Sequence, residues 1–136
     1  MPESRVTDWQ TIENQVRMTA SNARRVMDRA TSEDALLRSI VDEAKLRGWL
    51  VHHSLPAQNR RGQWSTAIQG DRGLPDLILV CPPRVVFMEV KAERRKMSPE
   101  QDRWIDALDA CWPGAEMYVI FPHDRDRITA IFEAVP

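Results

Sequence analysis

Cysteine is almost absent from this sequence: Cys81 and Cys111 are the only two among 136 residues, too few for a disulfide framework or a cysteine zinc site. Long apolar runs are missing as well. No stretch approaches the roughly 20 apolar residues that span a bilayer, and the N-terminus carries no signal-peptide pattern, so the expectation is a soluble protein of a reducing cytoplasm. Neither sign of charge dominates. With 19 Lys and Arg against 20 Asp and Glu, the formal net charge is −1, which removes any global attraction to a polyanion and leaves nucleic-acid binding to local basic patches. Repeats and low-complexity segments are also lacking. What is present is 43% hydrophobic content, enough for one domain around one core and without room for a second catalytic domain.

One stretch is charged where apolar residues dominate. Residues 77–80 and 85–90 are short, branched and apolar, as strands are, and Cys81-Pro82-Pro83-Arg84 between them reads as a turn or loop, so an antiparallel hairpin is the simplest reading. Gly73 allows close backbone approach just ahead of it, and Pro75 fixes φ at a strand start. Asp76 then opens the first strand and Glu89 closes the second. Side chains alternate faces along a strand, so Glu89 and Lys91 point one way and Val90 the other. Two carboxylates and an ammonium therefore meet at one end of the hairpin, an unfavourable arrangement unless something compensates it. A hard divalent cation such as magnesium does so with one or two protein carboxylates and water. Asp76 and Glu89 are the candidates to hold it, with Lys91 beside the water or a scissile phosphate. Without a ligand, Lys91 would pair with Glu89 or Glu93 on an exposed strand end, and Asp76 would merely follow Pro75 in a turn.

The rest of the chain can be read around that hairpin. Residues 7–30 contain no Pro or Gly and carry a thin apolar stripe of Trp9, Ile12, Val16, Ala20, Ala23 and Met27 behind a Thr7 cap, which predicts a helix. Arg17, Arg24, Arg25 and Arg29 make it basic, offset by Glu13 and Asp28, and its few large apolar residues are expected to pack on the core or on a second subunit in preference to the helix lying on DNA. A second helix runs from a Thr31 or Ser32 cap to about Arg47 and stops at Gly48, with the stripe Leu36, Leu37, Ile40, Val41 and Ala44. Glu33 lies on the face of that stripe, which aims it at the core edge; a glutamate in the first turn is equally what the helix dipole favours. Asp34 and Glu43 fall on more solvated faces. Residues 49–53 read as a strand ending in His52 and His53, which point to opposite faces and so do not chelate one ion together.

Residues 55–72 read as a polar loop that delivers Arg60, Arg61, Arg72 and Trp64 beside the acids, either for phosphate contact or simply for solvation. Arg94, Arg95 and Lys96 follow directly behind Lys91, a position that favours contact with a phosphate backbone. Ser98-Pro99-Glu100-Gln101 opens a helix with a serine cap, proline at its first position and glutamine in the capping box. Gln101 also shares a stripe with Trp104, Ile105 and Leu108, which turns it toward the charged end of the sheet. Residues 117–121 read as a further strand, parallel to residues 85–90 by the length of the crossover. Asp124 can cap a last helix with the stripe Ile128, Ile131, Phe132 and Val135. The expected architecture is α/β, a mixed sheet of about four strands flanked by helices on both faces.

Gly73-Leu74-Pro75-Asp76, an interval of thirteen positions to Glu89, and Glu89-Val90-Lys91 resemble the motifs of the PD-(D/E)xK nuclease superfamily. Within it, the order and context are most similar to the VRR-NUC family of small virus-type replication and repair nucleases. The resemblance covers roughly residues 32–135, leaving 1–31 as a helical extension for packing or dimer contact and 32–136 as the nuclease domain. It implies a restriction-endonuclease-like core and hydrolysis of DNA phosphodiesters to leave a 5′-phosphate. The implied cofactor is magnesium, with manganese able to substitute, held by Asp76, Glu89 and the backbone carbonyl of Val90. Lys91 would orient the attacking water or neutralise charge on the phosphate. A glutamate of the first core helix, matched by Glu33, would reach the metal through water or a second ion, and a glutamine of the helix after the lysine, matched by Gln101, would support the site. Stand-alone members resemble Holliday junction resolvases, which implies branched DNA, a homodimer and a bacterial or virus-infected host cytoplasm. The enzymatic alternative is cleavage of flaps, ends or nicks, and the alternative outside enzymes is a DNA-binding accessory that does not cleave. A zinc hydrolase is disfavoured, because no His/Cys constellation has ligand spacing.

Overall fold

The computed structural model describes residues 9–30, 32–55 and 57–134. In chain order they form α1 (Trp9–Ala30), α2 (Glu33–Leu46), β1 (Leu50–His53), β2 (Ala57–Gln58), β3 (Trp64–Ser65), β4 (Leu77–Cys81), β5 (Arg84–Val90), α3 (Pro99–Asp109), β6 (Glu116–Ile120), a 3-10 turn (Pro122–Asp124) and α4 (Arg125–Glu133). The main sheet has the order β1-β4-β5-β6. Its first two pairings are antiparallel and β5 with β6 is parallel, so the crossover through α3 joins parallel neighbours, as its length predicts. The hairpin turn is tighter than expected: Cys81 pairs with Arg84, which draws both into the strands and leaves Pro82 and Pro83 alone at the bend.

The two faces of this sheet are unequal, and the alternation in β5 shows why. Val86, Met88 and Val90 are fully buried, and with Leu77, Leu79 and Ile120 they meet Leu36, Ile40 and Ala44 of α2 and Ile128, Ile131 and Phe132 of α4. Trp49 closes this core with its ring edge-on to Phe132, centroids 5.3 Å apart. Each large side chain taken from water here contributes about 1.5–3 kcal/mol, so this face holds the domain together. Phe87 and Ile78 lie on the other face and are only half-buried. That face receives α3, whose half-buried residues are Gln101, Trp104, Ile105 and Leu108, the stripe read from its periodicity. No residue of α3 is fully buried.

Local signals fix where the helices begin. The Ser32 hydroxyl accepts from the Ala35 N–H at 3.0 Å, and Gly48, at φ +82°, takes the left-handed turn that ends α2. Thr7, Thr31 and Val135, expected as caps and as part of the last stripe, lie outside the described residues. Asp124 precedes α4 as expected but does not cap it with its side chain. The Asp124 carboxylate instead accepts from the Phe121 N–H behind it at 3.0 Å and pairs with Arg127 at 3.2 Å, because Asp124 is the last residue of the 3-10 turn and its side chain closes that turn.

Two peripheral elements differ from the core in kind. Residues 55–72, expected as a loop, contain a small antiparallel hairpin of β2 and β3. The Asn59 side-chain oxygen accepts from the N–H groups of Arg61 and Gln63, both at 2.9 Å, and so builds the turn that a polar sequence hides. α1 is helical as its composition predicts, yet its side chains from residue 13 to residue 27 are exposed. It touches the 3-10 turn before α4, and Arg24 pairs with Asp126 at 2.7 Å, an exposed ion pair that adds little. Among the described residues, no helix is long and apolar enough to cross a membrane.

Candidate active site

The charged residues of the hairpin gather where β4 begins and β5 ends, on the sheet face that α3 covers. Asp76 reaches across the hairpin, its Oδ2 accepting from the Val90 N–H at 2.8 Å. Glu89 alternates with Met88 and Val90 and so turns away from the main core, yet it is only 2% exposed. Its Oε1 accepts from Gln101 Nε2 at 2.8 Å and lies 3.6 Å from the Lys91 ammonium. Lys91 in turn donates to Gln101 Oε1 at 3.0 Å. The same amide oxygen accepts from the Ser98 N–H at 2.9 Å, while the Ser98 hydroxyl accepts from the Gln101 N–H at 3.1 Å. Gln101 is therefore both the capping-box residue of α3 and the clamp on Glu89 and Lys91. A glutamate would complete the box equally well, but it would set a third negative charge against Glu89 in place of a donor.

Glu33 approaches from the first turn of α2. Its Oε1 accepts from the Ala92 N–H at 3.1 Å and stands 3.6 Å from Arg95 Nε, which ties the start of α2 to the chain just past Lys91. Its charge is felt at Asp76, but among the described residues no three His, Cys, Asp or Glu side chains stand together as a metal cluster. The two histidines part company as their alternation requires. His52 is exposed and bonds to Ser54 Oγ at 3.1 Å, whereas half-buried His53 acts electrostatically on Asp76. His53 is thus a neighbour of the site that alternation alone did not single out.

Burial raises the pKa of Asp76, opposed by the Val90 N–H, and Glu33 adds to the rise. Burial also pushes Glu89 up, to about 7 from 4.5, with the Asp76 charge as the second cause and Lys91 as a partial offset. The fold therefore prefers Glu89 neutral. The stabilisation this gives is complete below the unfolded pKa of 4.5 and is lost as pH rises through about 7. In metal-free protein the loss should be on the order of 3 kcal/mol between pH 4.5 and pH 8. Glu89→Gln should flatten that slope, as urea denaturation across this range would reveal; parallel pH profiles for variant and parent would contradict it.

Gly73 sets the distance between the hairpin and α3. At φ +100° it adopts a backbone conformation that suits glycine, and a Cβ there would stand 2.5 Å from the carbonyl carbon and oxygen of Glu100 and 2.7 Å from the Gln101 nitrogen. Those are backbone atoms at the start of α3, so no side chain can give way. Gly73→Ala should cost about 2–4 kcal/mol from strain and overpacking, read from the urea midpoint. A variant as stable as the parent would show that α3 is free to move.

The basic residues read from the sequence stand in different settings. Arg60 and Arg61 lie exposed at the turn of the β2–β3 hairpin, whose Trp64 is 67% exposed. Arg94 and Lys96 are exposed just past Lys91, and Arg94 holds φ +64°, a left-handed conformation costing roughly 1–3 kcal/mol in a residue other than glycine. Arg95 leans toward Glu33, as described. Arg72 joins Asp71, Arg103, Trp104 and Ala107 around a cleft beside α3. No local pattern marks Arg103, and periodicity marks Trp104 only for packing, because the cleft joins α3 to a segment distant in the chain.

A search of curated proteins and one of solved structures each find no match. Family models do give a match: residues 18–120 fit the VRR-NUC domain. That span begins within α1, includes α2, the whole main sheet and α3, and ends with β6. It contains Glu33, Asp76, Glu89, Lys91 and Gln101, whose side chains the fold draws to one end of the sheet. A match over well over half of the chain, on a mixed four-stranded sheet flanked by helices, places this protein in the VRR-NUC family of nucleases.

Proposed function

We propose that this nuclease is a magnesium-dependent DNA endonuclease that acts on branched DNA in the manner of a Holliday junction resolvase. The observation that carries the reading is the pair Asp76 and Glu89. Both carboxylates resist ionisation through burial and neighbouring charge, and a cation between them would relieve both effects. The donor set fits a hard ion: two carboxylates, the backbone carbonyl of Val90 and water are what magnesium takes, and manganese accepts the same ligands. Glu33 would act through water or a second ion. When bound, the cation supplies Lewis-acid chemistry, acidifying water and offsetting charge that develops on the phosphate.

The chain's own residues then have separable tasks. Asp76 and Glu89 bring negative charge to one point on a rigid hairpin. Lys91 holds a positive charge 3.6 Å from Glu89, where it can orient a water or meet a phosphate oxygen as that oxygen gains charge. Gln101 fixes Glu89 and Lys91 relative to each other, which limits the reorganisation needed when substrate arrives. Arg60, Arg61, Arg72, Arg94, Arg95 and Lys96 would hold the phosphate backbone without reading bases. A homodimer would present two such sites to a branched substrate, and the exposed Val16 and Met27 of α1, 62% and 58% accessible, support a subunit contact there.

The test is to incubate the protein with a labelled four-way junction, a flap and a linear duplex, with magnesium or EDTA. Paired cuts confined to the junction and dependent on magnesium are expected. Cleavage of the flap, end or nick instead would keep the chemistry and discard the junction assignment. Binding without cleavage in magnesium or manganese would replace the enzyme by a DNA-binding accessory.

A further inference from the structure

We infer that the cleft between residues 71–72 and α3 is a nucleotide subsite, in which one unstacked nucleotide adjoining the scissile phosphate lays its base on Trp104 and its phosphate between Arg72 and Arg103. The inference rests on the nuclease reading above and adds what the substrate strand must offer beside the cut. The cleft has a volume of about 170 Å³ and is lined by Asp71, Arg72, Arg103, Trp104 and Ala107. That is well below the roughly 300–1,000 Å³ of pockets for drug-sized ligands, so this partly open cleft takes at most the base and phosphate of one nucleotide, its sugar lying outside, and not a larger cofactor.

Two guanidiniums face one carboxylate in this lining, which leaves the cleft with surplus positive charge. Among the described residues, neither Arg72 nor Arg103 has a hydrogen-bond or ion-pair partner, so both are available to an anion. Trp104 is half-buried in the stripe of α3, which holds its indole in place while one side stays open to the cleft. Aromatic side chains held this way serve as platforms for unpaired bases.

Position ties the cleft to the acids. Gly73, next to Arg72, lies against the backbone of Glu100 and Gln101, and this contact anchors the Arg72 segment on α3. Trp104 follows Gln101 by one helical turn on the same face, about 5 Å along the axis, a distance that a neighbouring nucleotide can bridge. A base stacked within a duplex cannot enter such a cleft; only a base already released from the stack, as at a branch or a frayed end, can do so without the unstacking penalty.

The test uses full-length, metal-free protein titrated with thymidine 5′-monophosphate and followed by NMR at the Trp104 indole N–H. Thymidine and inorganic phosphate serve as the single-component probes. The nucleotide should shift the Trp104 signal, each component alone should do so far more weakly, and exposed Arg103→Gln should remove the effect. In cleavage assays Arg103→Gln should raise KM about tenfold for a strand with an unpaired nucleotide beside the cut, the scale of one lost stacking or phosphate contact, and leave kcat within about twofold. Trp104→Leu, which keeps an apolar side chain in the stripe of α3 but removes the platform, should raise KM to a similar extent. Equal shifts with phosphate alone, or an Arg103→Gln protein unchanged in both NMR response and KM, would overturn the subsite. Nucleotide shifts in a protein that cuts nothing would instead remove the nuclease chemistry and leave the subsite standing.

Discussion

Asp76→Asn should lower the rate of DNA cleavage by roughly 10³-fold, the scale seen when one preorganised electrostatic group is removed from an active site. The substitution tests charge more than shape. Asparagine keeps an oxygen that can accept the Val90 N–H, now bonded to Asp76 at 2.8 Å, so the junction between the start of β4 and the end of β5 should survive. What disappears is the negative charge. Because the Asp76 charge helps to push Glu89 up to about 7, its removal should lower the Glu89 pKa and make metal-free protein more stable at pH 8 than the parent. A variant that is stabilised yet inactive is hard to ascribe to misfolding. Single-turnover cleavage and urea denaturation on the same preparation would decide the matter, and an active Asp76→Asn protein would remove this carboxylate from the chemistry.

The largest expected loss of stability lies at the other end of the sheet. Arg84 donates from Nε and Nη2 to the two oxygens of Glu116, both at 2.7 Å, and from Nη1 to the Ala134 carbonyl at 3.0 Å. Its guanidinium sits 5.0 Å from the centre of the Trp49 ring, and Tyr118 donates to Glu116 Oε1 at 2.8 Å. Arg84 and Glu116 are 8% and 7% exposed. Removing one partner strands the other's charge away from water, so Arg84→Ala should cost about 3–5 kcal/mol. Replacing Arg84, Glu116 and Tyr118 together by Met, Leu and Phe should recover most of that loss, since no buried charge would then lack a partner. Denaturation midpoints of the two variants give the comparison. Equal losses would mean that the attraction itself, and not an abandoned charge, is what matters.

Glu116 also ties this prediction to pH. The hydrogen bonds from Arg84, ahead of that from Tyr118, hold its pKa below the ordinary glutamate value, against the effect of burial. Its contribution is therefore present above the unfolded pKa and fades as pH falls, opposite in sign to that of Glu89. The two ends of the sheet should respond to acid in contrary directions.

The parts of this molecule that were legible in its sequence are those governed by neighbours a few residues apart. Alternation in residues 77–90 marked the hairpin and its faces, and Ser98-Pro99-Glu100-Gln101 marked the start of α3. The periodicity of α3 then placed Gln101, Trp104, Ile105 and Leu108 on one side. The ion pair of Arg84 and Glu116 was not legible, because its partners lie far apart in the chain and Arg84 looked like part of a turn. The β2–β3 hairpin was hidden for a different reason: its strands are two residues each, too short for alternation to register, and its turn is built by one asparagine side chain. In α1, periodicity revealed the helix but could not say what its apolar stripe would meet.

Gln101 joins two processes that enzymes commonly keep apart. Its amide oxygen accepts the Ser98 N–H at the start of α3 and the Lys91 ammonium proposed to serve the chemistry, and its amide nitrogen holds the Glu89 carboxylate beside them. Each time the first turn of α3 frays, the lysine loses its rest and the glutamate its donor, so catalytic readiness would track the local opening of a helix end and not the unfolding of the domain. A substitution at this one position would then change both at once, and no choice of side chain there can tune the speed of the reaction while leaving the helix as it was.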